Sequence, residues 1–363
     1  MATNYRDLLD LRPRNIRAKL AGSPICLLSS HDILRALWDR ECMVMACNIR
    51  MKHVIPGIMK AAKDAQAVVA FELAKSEGDL SGGYTGFVPK TFFETVIDYA
   101  DRLNFDLPFF IHGDHITVKN TSQEEIDTAR ALISAEMEAG YTSFCVDASF
   151  NELPDNIRIA SELARPIVSE GLGLESEVGE IKHVGEEGKI TTVEEAVEFI
   201  EGLLANGIHP DLLAIFNGAK HGNYLEGEKI FIDLERTGEI YNAIKKYGVA
   251  IAQHGITGTP LHILGRFAEH GIRKGNVGTL WQNICHQELP PELMERMRRW
   301  ARENNKDIKM AAKPFKEEID NIPEENKRRI EERAYKEALA HIRSFRAEGT
   351  APYVAERLLG KTL

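Results

Sequence analysis

The chain has 363 residues, 44% hydrophobic and 28% charged, so it can bury a large core and still stay soluble. Lysine and arginine total 45 against 55 acidic residues, a net charge of −10, which leaves no cationic excess for nucleic acid. No apolar run approaches the roughly 18 residues of a membrane span, Met1–Asn15 is too polar for a secretory signal, and five cysteines without a C-x-x-C pair argue against a disulfide framework; the expectation is a soluble, cytoplasmic protein.

Residues 1–42 read as a helical preface with a helix near Asp32–Arg40. From there, β-rich runs alternate with amphipathic stretches. The predicted order is strand Met43–Ile49, helix Val54–Gln66, strand Ala67–Leu73, helix Phe92–Asn104, strand Pro108–Gly113 and helix Ser122–Ala139. It continues with strand Thr142–Asp147, helix Pro154–Ser169, strand Leu172–Val178, helix Val193–Asn206 and strand Leu212–Asn217. Helix Leu234–Tyr247, strand Val249–His254, helix Leu261–His270 and strand Ile272–Val277 close the series. Eight strands, each followed by a helix, predict an α/β fold: a (β/α)8 TIM barrel over residues 43–289 with extra N-terminal and C-terminal helices. An open doubly wound sheet is the alternative, weakened because no dinucleotide fingerprint follows the first strand. Residues 290–363 read as a charged helical extension (Pro291–Asn304, then Glu324–Arg346) with a role in subunit contact.

In a barrel the chemistry sits at the C-terminal ends of the strands. There the sequence places His112, Asp114 and His115, then Asp147 and Ser149, Glu175 and Glu177, Lys220 and His221, His254, and finally Asn276 and Thr279. His115, His221 and His254, from strands three, six and seven, read as three imidazole ligands with an open fourth position, the arrangement of a catalytic zinc site. Asp114 has two readings: a carboxylate orienting a histidine, or a general acid/base. Because it adjoins His115, strand alternation turns both to one side only if the strand ends there. Gly255, Thr257, Asn276 and Thr279 suit a phosphate held by backbone amides and hydroxyls, as barrels often do after strands seven and eight.

The run Phe109-Phe110-Ile111-His112-Gly113-Asp114-His115, with Leu174-Glu175-Ser176-Glu177-Val178-Gly179, Lys220-His221-Gly222, His254-Gly255 and Asn276-Val277-Gly278-Thr279, resembles the class II, metal-dependent fructose-bisphosphate aldolases. The resemblance implies cleavage of fructose 1,6-bisphosphate into dihydroxyacetone phosphate and glyceraldehyde 3-phosphate, with the metal stabilising the enediolate. It implies His115, His221 and His254 as ligands of Zn2+ or another divalent transition metal, and Glu177 and Asp147 at an alternative or second site. A monovalent cation is a secondary expectation. Asp114 would be the acid/base at the bond cleaved. Gly222, Gly255, Thr257, Asn276 and Thr279 would hold the ketone-half phosphate, and Asn48 would contact substrate. A loop glutamate, Glu187 or its neighbour Glu186, would move the carbon-bound proton. The implied partners are a sugar phosphate and further copies of the chain in a homodimer or larger homo-oligomer, with neither nucleic acid nor membrane.

Four departures stand out. Ile116 follows the Asp-His pair where a small residue is usual, and Gly278 replaces an acidic residue. The loop Glu180–Gly188 is about two residues longer than usual. Glu72 stands where many members place a serine near the aldehyde-side phosphate, and would repel it unless Lys75 or Arg329 compensates. Rival readings are an aldolase for another ketose phosphate, such as tagatose bisphosphate or one with a different aldehyde half, and a metal-dependent hydrolase, which lacks its H-x-H pair here. Gly82–Gly86 motivates a third, a non-catalytic assembly partner.

Overall fold

The computed structural model describes residues 5–181, 188–220, 222 and 230–360. Eight parallel strands close a barrel in sequence order: β1 (Val44–Asn48), β2 (Val69–Ala74), β3 (Phe109–Thr117), β4 (Ser143–Asp147), β5 (Gly173–Val178), β6 (Leu212–Ile215), β7 (Ala250–Gln253) and β8 (Ile272–Val277). β8 pairs with β1, so no edge remains and the open-sheet alternative falls. All eight predicted strands are present, and the helices between them match within a few residues. Local chemistry marks their starts. Thr192 and Glu195 form a reciprocal capping box at Val193–Ala205, and Ser122 caps Gln123–Ala139 through the Glu125 amide. No helix among the described residues is long and apolar enough to cross a membrane.

The larger difference is β3, which runs four residues past its predicted end. His112 and Asp114 turn inward by ordinary alternation. His115 then adopts φ +39°, and the register against β4 shifts between Gly113 and Ile116. This bulge inserts an extra residue and turns the His115 side chain to the same side as Asp114. A strand ending at Gly113 is therefore not how the two reach the site together.

The preface covers the lower mouth of the barrel. Leu27 bridges to Phe109, and the Ser30 hydroxyl donates to Ser143 Oγ at 2.6 Å, which in turn lies 2.7 Å from His112 Nδ1. The C-terminal extension folds back over the barrel's own helices. Glu324–Ser344 crosses Ile55–Ala65 at Gly57, where a Cβ would stand 2.3 Å from the Glu331 carbonyl oxygen. Gly349 and Ala351 donate backbone bonds to Ala65 and Gln66, and the Thr350 hydroxyl accepts from the Val68 amide.

Most barrels fill their centre with branched aliphatic side chains. Here the middle layer is charged: Glu72 on β2, His112 on β3, Glu175 on β5 and Lys274 on β8 are almost wholly buried. Lys274 Nζ lies 2.9 Å from Glu175 Oε2 and 3.2 Å from Glu72 Oε2. Burial alone would lower the lysine pKa, but the two carboxyls more than offset it, so it stays protonated. Burial raises the Glu72 pKa strongly even against Lys274, whereas Lys274 and His112 hold Glu175 below the usual range. Lys274 and Glu175 thus make the ion pair, and Glu72 is favoured in its neutral form.

Candidate active site

Above this charged layer opens a pocket of about 540 Å³ at the C-terminal ends of the strands. Its wall includes Asn48, Asp114, His115, Asp147, Glu177, Gly222, His254, Gly255, Thr257, Asn276 and Thr279. The structure therefore gathers eleven of the predicted site residues in one cavity. His221, Glu186 and Glu187 lie outside the described residues.

Asp114 is fixed from both sides. Asn48 Nδ2 donates to its Oδ2 at 2.9 Å and Asn276 Nδ2 to its Oδ1 at 3.0 Å. The Asn276 amide is itself oriented, because Lys274 Nζ donates to its Oδ1 at 2.8 Å. Burial would raise the Asp114 pKa, but His115, His254 and Lys274 together keep it below the usual range. A carboxylate that is ionised, oriented and at the pocket wall has what a proton acceptor needs.

Beside it the His115 and His254 rings lie 4.2 Å apart between centroids. Donor atoms of His115, Glu177 and His254 come within 4.8 Å of one another. His254 Nε2 lies 2.8 Å from Glu175 Oε1, the kind of carboxylate contact that orients a metal-binding histidine. His115 Nδ1 is 3.0 Å from Glu177 Oε2 and 3.6 Å from Asp147 Oδ2. Two imidazole nitrogens and a carboxylate oxygen suit zinc or another divalent transition ion. Burial raises the Glu177 pKa to about 7, with Asp147 adding to the effect and His115 opposing it. A carboxylate so penalised gains from a nearby cation. The donor set fits a metal, and it draws Glu177 into the same cluster as the two histidines.

At the rim, Thr257 Oγ1 accepts from the Leu280 amide at 3.2 Å, and Thr279 Oγ1 from Arg50 Nη1 at 3.4 Å. Glu72 is a correction to the sequence reading. It does not line the pocket, and its cation is Lys274 rather than Lys75 or Arg329. Lys75 is engaged by the Thr117 carbonyl and Glu125, and Arg329 by Glu288 and Glu325.

Sequence reasoning missed Lys274, Arg50 and Glu77. Lys274 carried a signal: with Asn276 turned inward, alternation turns Lys274 inward too, and a buried lysine needs acidic partners. Glu77 lies in a loop, where periodicity says nothing. Its carboxylate accepts from Arg50 Nε (2.7 Å), Asn48 Nδ2 (3.1 Å), the Ala74 amide (3.0 Å) and the Tyr84 hydroxyl (3.2 Å).

A family model described as fructose-bisphosphate aldolase class-II matches residues 28–336. The fructose-bisphosphate aldolase of Geobacillus stearothermophilus is 27% identical over 259 residues, covering 70% of this chain and 81% of that protein. The namesake from Streptococcus pneumoniae serotype 4 is 26% identical over 264 residues, covering 70% and 80%. Among solved structures, the YdjI aldolase from Escherichia coli K12 aligns with a TM-score of 0.62 at 20% identity, over 90% of this chain and 99% of that one, a likeness of fold.

Proposed function

Because the chain belongs to the class II fructose-bisphosphate aldolase family, and is therefore a carbon–carbon lyase, we propose that it reversibly cleaves fructose 1,6-bisphosphate into dihydroxyacetone phosphate and glyceraldehyde 3-phosphate. The observation that carries this reading is Asp114, clamped between Asn48 and Asn276 beside the His115–Glu177–His254 cluster.

In cleavage, ionised Asp114 accepts the proton of the C4 hydroxyl as the C3–C4 bond breaks. The C4 oxygen becomes the aldehyde carbonyl and the bonding pair passes to the ketone half. In synthesis Asp114 returns that proton. His115, Glu177 and His254, with His221, would hold the metal, zinc foremost; Asp147 would support His115 or serve a second site. When bound, the ion supplies Lewis acidity at the ketone oxygens. Gly222, Gly255, Thr257, Asn276 and Thr279 hold the ketone-half phosphate through amides and short polar groups. Glu187, or Glu186, protonates the carbon of the ketone half from the loop after β5. Removal of Glu72 from the pocket takes away the reason to doubt a phosphorylated aldehyde, so fructose 1,6-bisphosphate stands ahead of other ketose phosphates. The protein would work in the cytoplasm as a homo-oligomer, with residues 290–363 contributing contact surface.

The test is a panel of ketose mono- and bisphosphates assayed with metal-replete enzyme. Cleavage of fructose 1,6-bisphosphate well above the rest supports the reading. Full turnover after exhaustive chelation would refute it.

A further inference from the structure

One wall of the pocket carries two cations that have no part in the chemistry assigned above. Arg50, two residues beyond β1, lies in it, held by Glu77, by Gln282 Oε1 (2.8 Å from Nη1) and by Thr279. These contacts use Nε and Nη1, and no described residue accepts from Nη2. A Cβ at position 278 would stand 3.0 Å from Nη2, so Gly278 leaves that edge of the guanidinium clear. Tyr84 and Lys309, the latter from the Ile308–Ala311 turn of the C-terminal extension, line the same pocket. Arg50 Cζ and Lys309 Nζ each lie 5.9 Å from the ring centroid. No described carboxylate pairs with Lys309 Nζ within 4.0 Å; the neighbouring Asp307 accepts from the Lys309 backbone amide instead.

We propose that Arg50 and Lys309, both beside Tyr84, form a subsite for an anionic group, phosphate or carboxylate, carried by the aldehyde half of the substrate. The proposal rests on the aldolase reading and names what that reading leaves open. The acidic groups nearby are already engaged. Glu77 is buried beneath four donors. Asp79 accepts from the Ser81 amide and hydroxyl and the Gly83 amide, and Glu72 is sealed against Lys274. His286, also on this wall, is kept neutral by burial. The subsite is also linked to the reacting centre: Arg50 contacts Glu77, Glu77 contacts Asn48, and Asn48 contacts Asp114, at 2.7, 3.1 and 2.9 Å. Its position fits a short aldehyde whose carbonyl faces Asp114 and whose charged end reaches Arg50. The Gly222, Gly255, Thr257, Asn276 and Thr279 rim is left to the ketone-half phosphate, with Thr279 at the border of the two subsites.

The test measures aldol addition of dihydroxyacetone phosphate to glyceraldehyde 3-phosphate, succinic semialdehyde and uncharged glyceraldehyde, using metal-loaded wild type, Arg50→Gln, Arg50→Lys and Lys309→Gln. In wild type, kcat/KM should favour one or both anionic aldehydes, and which of them identifies the anion. Arg50→Gln and Lys309→Gln should each cut the anionic-over-uncharged ratio about tenfold to hundredfold, the loss expected for a charged hydrogen-bond partner. Arg50→Lys should recover part of it. An unchanged ratio in both glutamine variants overturns the subsite. So does an Arg50→Gln loss that is equal for all three aldehydes, which would assign Arg50 to the ketone half. Exchange of the dihydroxyacetone phosphate C3 proton with solvent deuterium in wild type tests the underlying reading separately. Without exchange the aldolase assignment fails; with exchange and an unchanged ratio, only the subsite does.

Discussion

Replacing Lys274 with methionine removes the cation at the centre of the barrel while leaving an unbranched side chain only one atom shorter. Lys274 Nζ stands 2.9 Å from Glu175 Oε2 with both groups out of solvent. At an effective dielectric near 20, a pair at that distance attracts by about 6 kcal/mol. Desolvation of the two ions costs several kcal/mol each, so the intact pair contributes little net stability. Removing one member is different, because it leaves Glu175 charged and buried without its cation. Lys274→Met should lower unfolding stability by about 3–5 kcal/mol. Urea titration reads this as a lower midpoint at an unchanged slope. Glu72→Gln should cost less than about 1 kcal/mol, because burial already favours the neutral form of Glu72 and the amide preserves its shape. The pH dependence follows from the same raised pKa. The folded state holds a proton on Glu72 that the unfolded chain releases near pH 4.5. That contribution is complete below the unfolded pKa and is lost as pH rises through the folded one. Glu72→Gln should therefore flatten the decline of stability with rising pH. Equal losses in Lys274→Met and Glu72→Gln would refute this account, since they would mean that Glu72 is a charged partner in the fold.

Four further outcomes follow from the geometry. Asp114→Ala should reduce kcat by roughly 10²–10⁴ with metal content near that of wild type; loss of metal would make the carboxylate a ligand or its support. His254→Ala should lose bound metal, measured by atomic absorption after gel filtration, and retention at full occupancy would exclude His254 as a ligand. Glu72→Ser should leave KM for fructose 1,6-bisphosphate within about twofold, since that carboxyl is buried outside the pocket lining; a several-fold fall would return Glu72 to the pocket. His286, lowered to about 4 by burial, binds its proton more weakly folded than unfolded. It should therefore cost up to about 3 kcal/mol of stability as pH falls from 6.5 to 4. His286→Asn should remove that slope from the pH–stability curve; an unchanged curve would show that the ring titrates normally.

The alternation of β-rich and amphipathic runs was enough to read the closed barrel, because each strand is short, buried and followed by a helix with its own capping signal, as at Ser122 and Thr192. That the candidate site residues share one rim was legible for a related reason: in a parallel barrel every strand's C-terminal end faces the same rim, so position along the chain becomes position in space. Glu175 and Lys274, 99 residues apart, become partners only when β8 closes against β1 and the interior is sealed from water. The bulge at His115 was hidden because its cause is pairing against β4, and the sequence of β3 alone reads as a strand ending at a glycine. Arg50, Tyr84 and Lys309 come from three segments outside any regular period, two loops and the C-terminal extension, and only the folded chain brings them to one wall. Periodic local preference determined the barrel and its rim; long-range closure decided which buried charges meet and what lines the far side of the pocket.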